Sequence, residues 1–269
     1  MKATRLFLIL ISFGLLFGNV TAQEDSGQEI LVKLAKASQN PVADMNSVPF
    51  QFNWFTGGGL GDQTMSQTLI QPVIPLRISE NWNVVSRTII PVVSAPLPEG
   101  ERAKGIGDIQ QQIFFSNTKE HKIITGFGPV LSFPTSTHEA WATGQFAAGP
   151  AFVFLAGSGH WVIGAVVNNL WRFAGGENTP AINLLFAQPF INFNLKGGWA
   201  LGTAPAFTAN WTAESSQQWT VPLGMSISKV TVIGKQPLNL SIQYYHNVVR
   251  PDNAGSEQVR FLLVFLFPK

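Results

Sequence analysis

The chain has no cysteine among its 269 residues, and only 12% of them carry charge. The first absence excludes a disulfide scaffold, a thiol nucleophile, a cysteine-ligated metal site and a lipid-modified cysteine anchor. The second leaves the chain at about half the charge of an ordinary soluble domain. Disorder is excluded too, because it needs high charge and low hydrophobicity, whereas 45% of these residues are apolar. A third absence narrows the choice further. After residue 22 no apolar run is long enough to cross a bilayer as a helix, and the longest, Phe261 to Phe267, stops at Pro268. A charge-poor, hydrophobic chain without membrane helices points to membrane-crossing strands.

Residues 1–22 read as a secretory signal. Lys2 and Arg5 open it, Leu6 to Phe17 form its apolar stretch, and Val20-Thr21-Ala22 form a small-residue cleavage site before Gln23. A membrane anchor would need about 20 apolar residues, more than this stretch offers. The signal holds two of the 17 basic residues and none of the 15 acidic ones, so the rest of the chain balances at 15 and 15. No basic patch for nucleic acid or anionic lipid is implied, and nucleic acid is not an expected partner. Residues 23–45 form an N-terminal segment. Within it QEILVKLAKAS (28–38) has the pattern of a short amphipathic helix ended by Asn40-Pro41. Such a helix would sit in the periplasm, partly plug a barrel, or fray.

From residue 46 to 269 the sequence alternates with period two over segments of about ten residues, the signature of transmembrane strands. Trp199, Leu201, Thr203, Pro205, Phe207, Ala209 and Trp211 fall on one face, with tryptophan at both tips. Twelve strands are expected, near 46–56, 66–77, 82–93, 105–116, 122–134, 145–156, 160–173, 181–195, 199–211, 219–230, 237–248 and 258–267. Connections after odd-numbered strands are long and polar: APLPEGERAKG (95–105), TSTHEAWATG (135–144) and RPDNAGSE (250–257). Those after even-numbered strands are mostly short: SEN (79–81), GSG (157–159) and KGG (196–198). Outer-membrane barrels have long external loops, short periplasmic turns and an even strand number. The expected fold is therefore all-β: a closed antiparallel transmembrane barrel of twelve strands, with ten or fourteen as alternatives. The expected location is the outer membrane of a Gram-negative bacterium, with its lipid as one partner. Phe261, Leu263, Phe265 and Phe267 form an outward stripe resembling the C-terminal signal read by the barrel-assembly machinery, although Pro268 and Lys269 follow it.

Eight prolines oppose a regular ladder: Pro49, Pro72, Pro91, Pro129, Pro150, Pro189, Pro205 and Pro222 lie inside expected strands. A closed barrel has no edge to hide them, so bulges or local gaps are expected.

With these segments laid out, the chain resembles a bacterial outer-membrane family filed under transport, under the MetA pathway of phenol degradation, and under the misleading name neuromedin U. The resemblance rests on NPVADMNSVPFQFNW (40–54), IQPVIPLRISENWNVVSRTIIPVV (70–93), GIGDIQQQIFFS (105–116), NNLWRFAGG (168–176), QPFINFNLKGGWALGTAP (188–205) and LFPK (266–269). It implies an outer-membrane barrel that moves small, apolar or aromatic molecules. It supplies no catalytic or binding residues.

If the aromatic and branched face meets lipid, the opposite face lines the lumen. That face carries Gln51, Asn53, Gln71, Arg87, Asp108, Gln110, Gln112, Asn168, Arg172, Gln188, Asn192 and Gln243. A charge facing mid-bilayer lipid costs about 2–4 kcal/mol, so Arg87 and Asp108 should point inward. Folding their hairpin about residue 99 sets Arg87 opposite residue 111, close to Asp108. The pair would form either a polar constriction or an ion pair bracing the wall. Leu69, Val73, Ile89, Leu262, Val264 and Leu266 also face inward, with Gly126, Gly128 and Gly149. They fit a side-chain-filled interior or a path for apolar solutes. No HExxH, GxSxG, phosphate-loop or dinucleotide fingerprint is present. None of His121, His138, His160 and His246 has a serine two residues on. His138 with Glu139 reads as solvated loop surface. The expectation is a channel for small molecules, with a closed structural or adhesive barrel as the alternative and no enzyme, cofactor or metal.

Overall fold

A computed structural model describes residues 24–59, 62–97, 100–117, 123–177 and 179–268. The expected signal segment lies outside the described residues. The chain begins with helix α1 (Glu24–Ser38), longer at its start than the 28–38 expected from the pattern. Strands β1 (Asn46–Gly58), β2 (Met65–Ile70), β3 (Val73–Arg77), β4 (Trp82–Pro96), β5 (Arg102–Ile106), β6 (Ile109–Asn117), β7 (Ile123–Phe133) and β8 (Gln145–Ser158) follow. Then come β9 (Trp161–Gly175), β10 (Asn183–Asn194), β11 (Trp199–Thr203), β12 (Phe207–Asn210), β13 (Trp219–Ile233), β14 (Gln236–Val249) and β15 (Gly255–Phe267). Three pairs are single staves interrupted midway: β2 with β3, β5 with β6, and β11 with β12. The result is a closed antiparallel barrel of twelve staves, sealed where β15 pairs along β1.

The interruptions answer the proline problem. Phe50 pairs with Ile70 and Ser47 with Val73, so Val48-Pro49 faces Gln71-Pro72 across an unpaired gap that keeps register. One bond crosses it, from the Gln71 N–H to the Pro49 carbonyl at 2.9 Å. Pro189 likewise faces the gap at Ala204-Pro205-Ala206, with register kept on both sides. Pro129 and Pro150 sit opposite each other in β7 and β8, and the ladders on their far sides break there. Pro222 stands at a bulge against β14. Each of these seven prolines therefore lies beside a gap, a ladder break or a bulge, which is how proline enters an edgeless sheet. At two of these places glycine precedes proline because the backbones nearly touch. A Cβ on Gly128 would lie 2.0 Å from the Ile113 carbonyl oxygen, and one on Gly149 1.7 Å from that of Asn169.

The third interruption is a true register shift. Val92 pairs with Ile106, but Ile89 pairs with Gln110, so Gly107-Asp108 inserts one extra residue. The connection expected over 95–105 is shorter than its composition suggested, because β4 runs to Pro96 and β5 starts at Arg102.

The outer wall is apolar. Phe127, Phe152, Phe154, Leu201, Ile227 and Ile242 are all exposed on it. Trp82, Trp161 and Trp199 begin strands at the end carrying α1 and the short turns, while Trp54, Trp171, Trp211 and Trp219 sit near the long-loop end. Two aromatic girdles bounding an apolar band are what a barrel in lipid requires. Inside, Val85, Phe114, Val130, Ala151, Val153 and Val166 pack with Val42 of the N-terminal segment and fill one side of the barrel. A second cluster seats α1 at the barrel end, with Leu31, Leu34 and Ala35 against Met45, Val230, Val264 and Leu266.

Candidate functional site

The other side of the lumen is polar and holds a cavity of about 200 Å³. Its floor is the end of α1 and the segment after it, fixed to the wall by side chains. Asn239 donates to Ser38 Oγ at 2.9 Å, Gln39 and Asn194 exchange amide bonds at 2.9 and 3.2 Å, and Lys36 donates to the Gly159 carbonyl at 2.7 Å.

Above that floor the wall carries a chain of amides ending in two arginines. Arg87 Nη2 donates to Gln71 Oε1, and Nη1 reaches Gln112 Oε1 at 3.5 Å. Gln71 Nε2 reaches Gln51 Oε1 at 3.5 Å, and Gln51 Nε2 donates to Asn53 Oδ1 at 3.1 Å. That Asn53 oxygen also accepts from Gln258 Nε2 at 2.9 Å and Arg260 Nε at 3.1 Å. Arg260 Nη1 donates to Gln243 Oε1 and to the Ala204 carbonyl, both at 3.1 Å. Gln188 Nε2 donates to the same carbonyl at 3.1 Å, while the Ala204 N–H donates to Tyr245 Oη at 3.0 Å. Tyr245 Oη donates in turn to Gln243 Oε1 at 2.9 Å.

One stave interruption contributes directly. Pro205 has no N–H for the ladder, and in the gap around it the Ala204 carbonyl accepts from Arg260 and Gln188 instead. Gln71 faces Arg87 by the alternation of its stave, and its own N–H still bonds the Pro49 carbonyl.

Of the residues expected in the lumen, Gln51, Gln71, Arg87, Gln188, Asn192 and Gln243 line the cavity, and Asn53 and Gln112 are buried beside it. Gln110 shares their face through its pairing with Ile89 but stands outside the network. Asn168 is buried on the packed side, opposite Ala151. Arg172 lies near the long-loop end, where Nη1 donates to the Gly176 carbonyl at 3.0 Å.

Asp108 corrects the hairpin expectation. Its carboxylate accepts from the Ser136 N–H at 3.1 Å and Thr143 Oγ1 at 2.7 Å, tying down the loop between β7 and β8. Arg87 pairs with Gln112 rather than residue 111, because the extra residue at Gly107-Asp108 moves the register by one. Among the described residues Arg87 makes no ion pair. Arg260, Tyr245 and Ser241 are the residues the pattern should have included. Arg260 has the parity of Leu262, Val264 and Leu266, yet it follows Glu257-Gln258 and reads as the polar start of a strand. In the structure it is 3% exposed.

The chain matches no protein-family model and no curated protein. Among solved structures it is similar to the COG4313 outer membrane channel from Pseudomonas putida F1, at 14% identity and a TM-score of 0.62, covering 83% of this chain and 94% of that one. It is also similar to the NanC porin, at 7% identity and a TM-score of 0.51, covering 82% of this chain and all of that one. Both likenesses are of fold. The outer membrane phospholipase A of Escherichia coli superposes at only 0.44, with 13% identity over 84% of this chain and 97% of that one.

Proposed function

We propose that this protein is an outer-membrane channel for small molecules in a Gram-negative bacterium. The observation that carries the reading is the polar cavity inside a barrel whose outer face is apolar and ringed by tryptophan. An apolar outer wall of this extent has no place in water. A lumen kept partly empty and lined with amides is what a selective conduit needs, since tight packing would otherwise be its stable state. The fold shared with an outer membrane channel and a porin supports the same reading, as does the sequence resemblance to a transport family. Outer-membrane lipid would surround the barrel, and the aromatic stripe ending at Phe267 would present it to the assembly machinery. No chemical step is part of the proposal.

The test is efflux of a small neutral solute, benzamide, from liposomes holding the purified protein, with fractionation of the source membranes. Release faster than from protein-free liposomes supports the channel. No release of benzamide or of its charged counterpart benzoate, with the protein folded, overturns it. One observation favours the second reading, a closed structural barrel: residues of α1 and the packed cluster around Val42 occupy much of the lumen. Absence of efflux would favour that reading.

A further inference from the structure

Among the described residues every charged side chain lining the cavity is an arginine: Arg87 and Arg260 contribute to its wall, and no aspartate, glutamate, lysine or histidine does. Among the described residues neither guanidinium lies within 4.0 Å of a carboxylate. We propose that the cavity is a binding site for a small organic anion, a monocarboxylate with a compact apolar body. The proposal rests on the channel reading of the same lumen and gives it a class of permeant.

The hydrogen bonds position the two cations without neutralising them. Arg260 is held by Asn53, Gln243 and the Ala204 carbonyl and lies over the Tyr245 ring, 5.2 Å from its centroid. These bonds use Nε and Nη1, and among the described residues none is made by Nη2. Arg87 is held by Gln71 and Gln112 and keeps three of its five N–H donors. All the acceptors are neutral amide oxygens. An arginine that only braces a wall is best served by a carboxylate, because a lone cation in a protein interior keeps its full desolvation penalty. Glutamate in place of Gln71 or Gln243 would supply one without moving an atom. The lumen instead retains two uncompensated positive charges beside empty space, so the counterion comes from solution. A planar guanidinium selects carboxylate oxygens by its paired donors.

The rest of the wall sets the body of the ligand. Phe190, Val166 and Leu262 line the same cavity and offer an apolar surface beside the arginines. A cavity of about 150 Å³ lined by apolar side chains accepts benzene, so about 200 Å³ suits one ring with a carboxylate.

Benzoate and benzamide, matched in size and differing in charge, provide the test. Each is titrated into the full protein in nanodiscs by calorimetry. Benzoate is expected to bind at least about tenfold more tightly than benzamide, the weight of one charge-assisted hydrogen bond. Gln243→Glu and Gln71→Glu each place a carboxylate on an arginine already bonded there, and each should weaken benzoate by about tenfold or more. Two variants on separate staves guard against a folding failure in one, which the gel mobility of the unboiled protein reports. Equal affinities for the two probes, no benzoate binding, or indifference to both variants overturns the proposal. The channel reading fails separately. Liposomes that release benzamide and benzoate alike, with no preferential binding, keep the channel and lose the anion site. Protein that binds benzoate preferentially but releases neither probe keeps the site and loses the channel.

Discussion

At the residue scale, one oxygen joins the two ends of the polar wall. Asn53 Oδ1 accepts from Gln51, Gln258 and Arg260, and its Nδ2 donates to the Gln67 carbonyl at 3.3 Å. Asn53→Leu would leave a guanidinium N–H and the amides of Gln51 and Gln258 without this acceptor, a loss of about 2–3 kcal/mol. Urea unfolding followed by tryptophan fluorescence should show it as a lower midpoint at unchanged slope. Asp108 predicts a local effect instead. In Asp108→Ala the loop from Pro134 to Gly144 loses two anchors, so chymotrypsin should cut after Trp141 faster while the barrel keeps its folded gel mobility. An unchanged cutting rate would mean that the remaining anchors hold the loop: Thr135 and Thr137, which accept from the Ile109 and Ile106 N–H groups, and Ser136 and Trp141, which donate to the Ile106 carbonyl.

These residues also mark how far the pattern could be read. Gln51, Asn53, Gln71 and Gln243 were legible because alternation fixes the face of a side chain in a strand. Partners on neighbouring strands were not, because register depends on bulges that composition does not announce. Gly107-Asp108 displaced the expected opposite of Arg87 by one residue and turned Asp108 to a different task. Arg260 was hidden by its polar neighbours although its parity was right.

At the element scale, the prolines and the helix carry the argument. The twelve staves were readable because loop lengths alternate, but the role of the eight in-strand prolines was not, since gaps form between strands rather than within one. Helix α1 was expected from its amphipathic spacing, and only tertiary structure seats it. Ala35 is 2% exposed where the helix meets Val230, Val264 and Leu266. Burying a carboxylate there without a partner is strongly unfavourable, so Ala35→Glu should expel the helix from its seat. The expected outcome is lower helical circular dichroism together with faster benzamide efflux, since the floor of the cavity leaves with the helix. Helix loss with unchanged efflux would show that α1 does not limit the path.

At the scale of the whole molecule, the outer face is a commitment to a particular solvent. Phe261 stacks on Phe52 at 6.1 Å midway along the β1–β15 pair, with its ring on the outer wall. Phe261→Lys should cost about 2–4 kcal/mol in lipid vesicles if that position meets the bilayer centre. The same substitution in detergent micelles, where water reaches the side chain, should cost less, and equal costs would argue against a lipid-facing wall.

The pairing of β1 with β15 joins the first strand of the chain to its last, from Asn46 with Phe267 to Gly58 with Gly255. Such a contact comes late in time rather than dear in energy. Loop-closure entropy grows only as a logarithm, about 0.6 kcal/mol for each doubling of length, so the seam is affordable even across the whole barrel. Contacts so distant in sequence nevertheless form slowly. Until β15 arrives, β1 and β14 both present unpaired backbone donors and acceptors, the template on which strands of other chains assemble. The order of synthesis therefore sets a hazard. A copy truncated before Gly255 should aggregate through two open edges, whereas a full-length copy buries both in a single event.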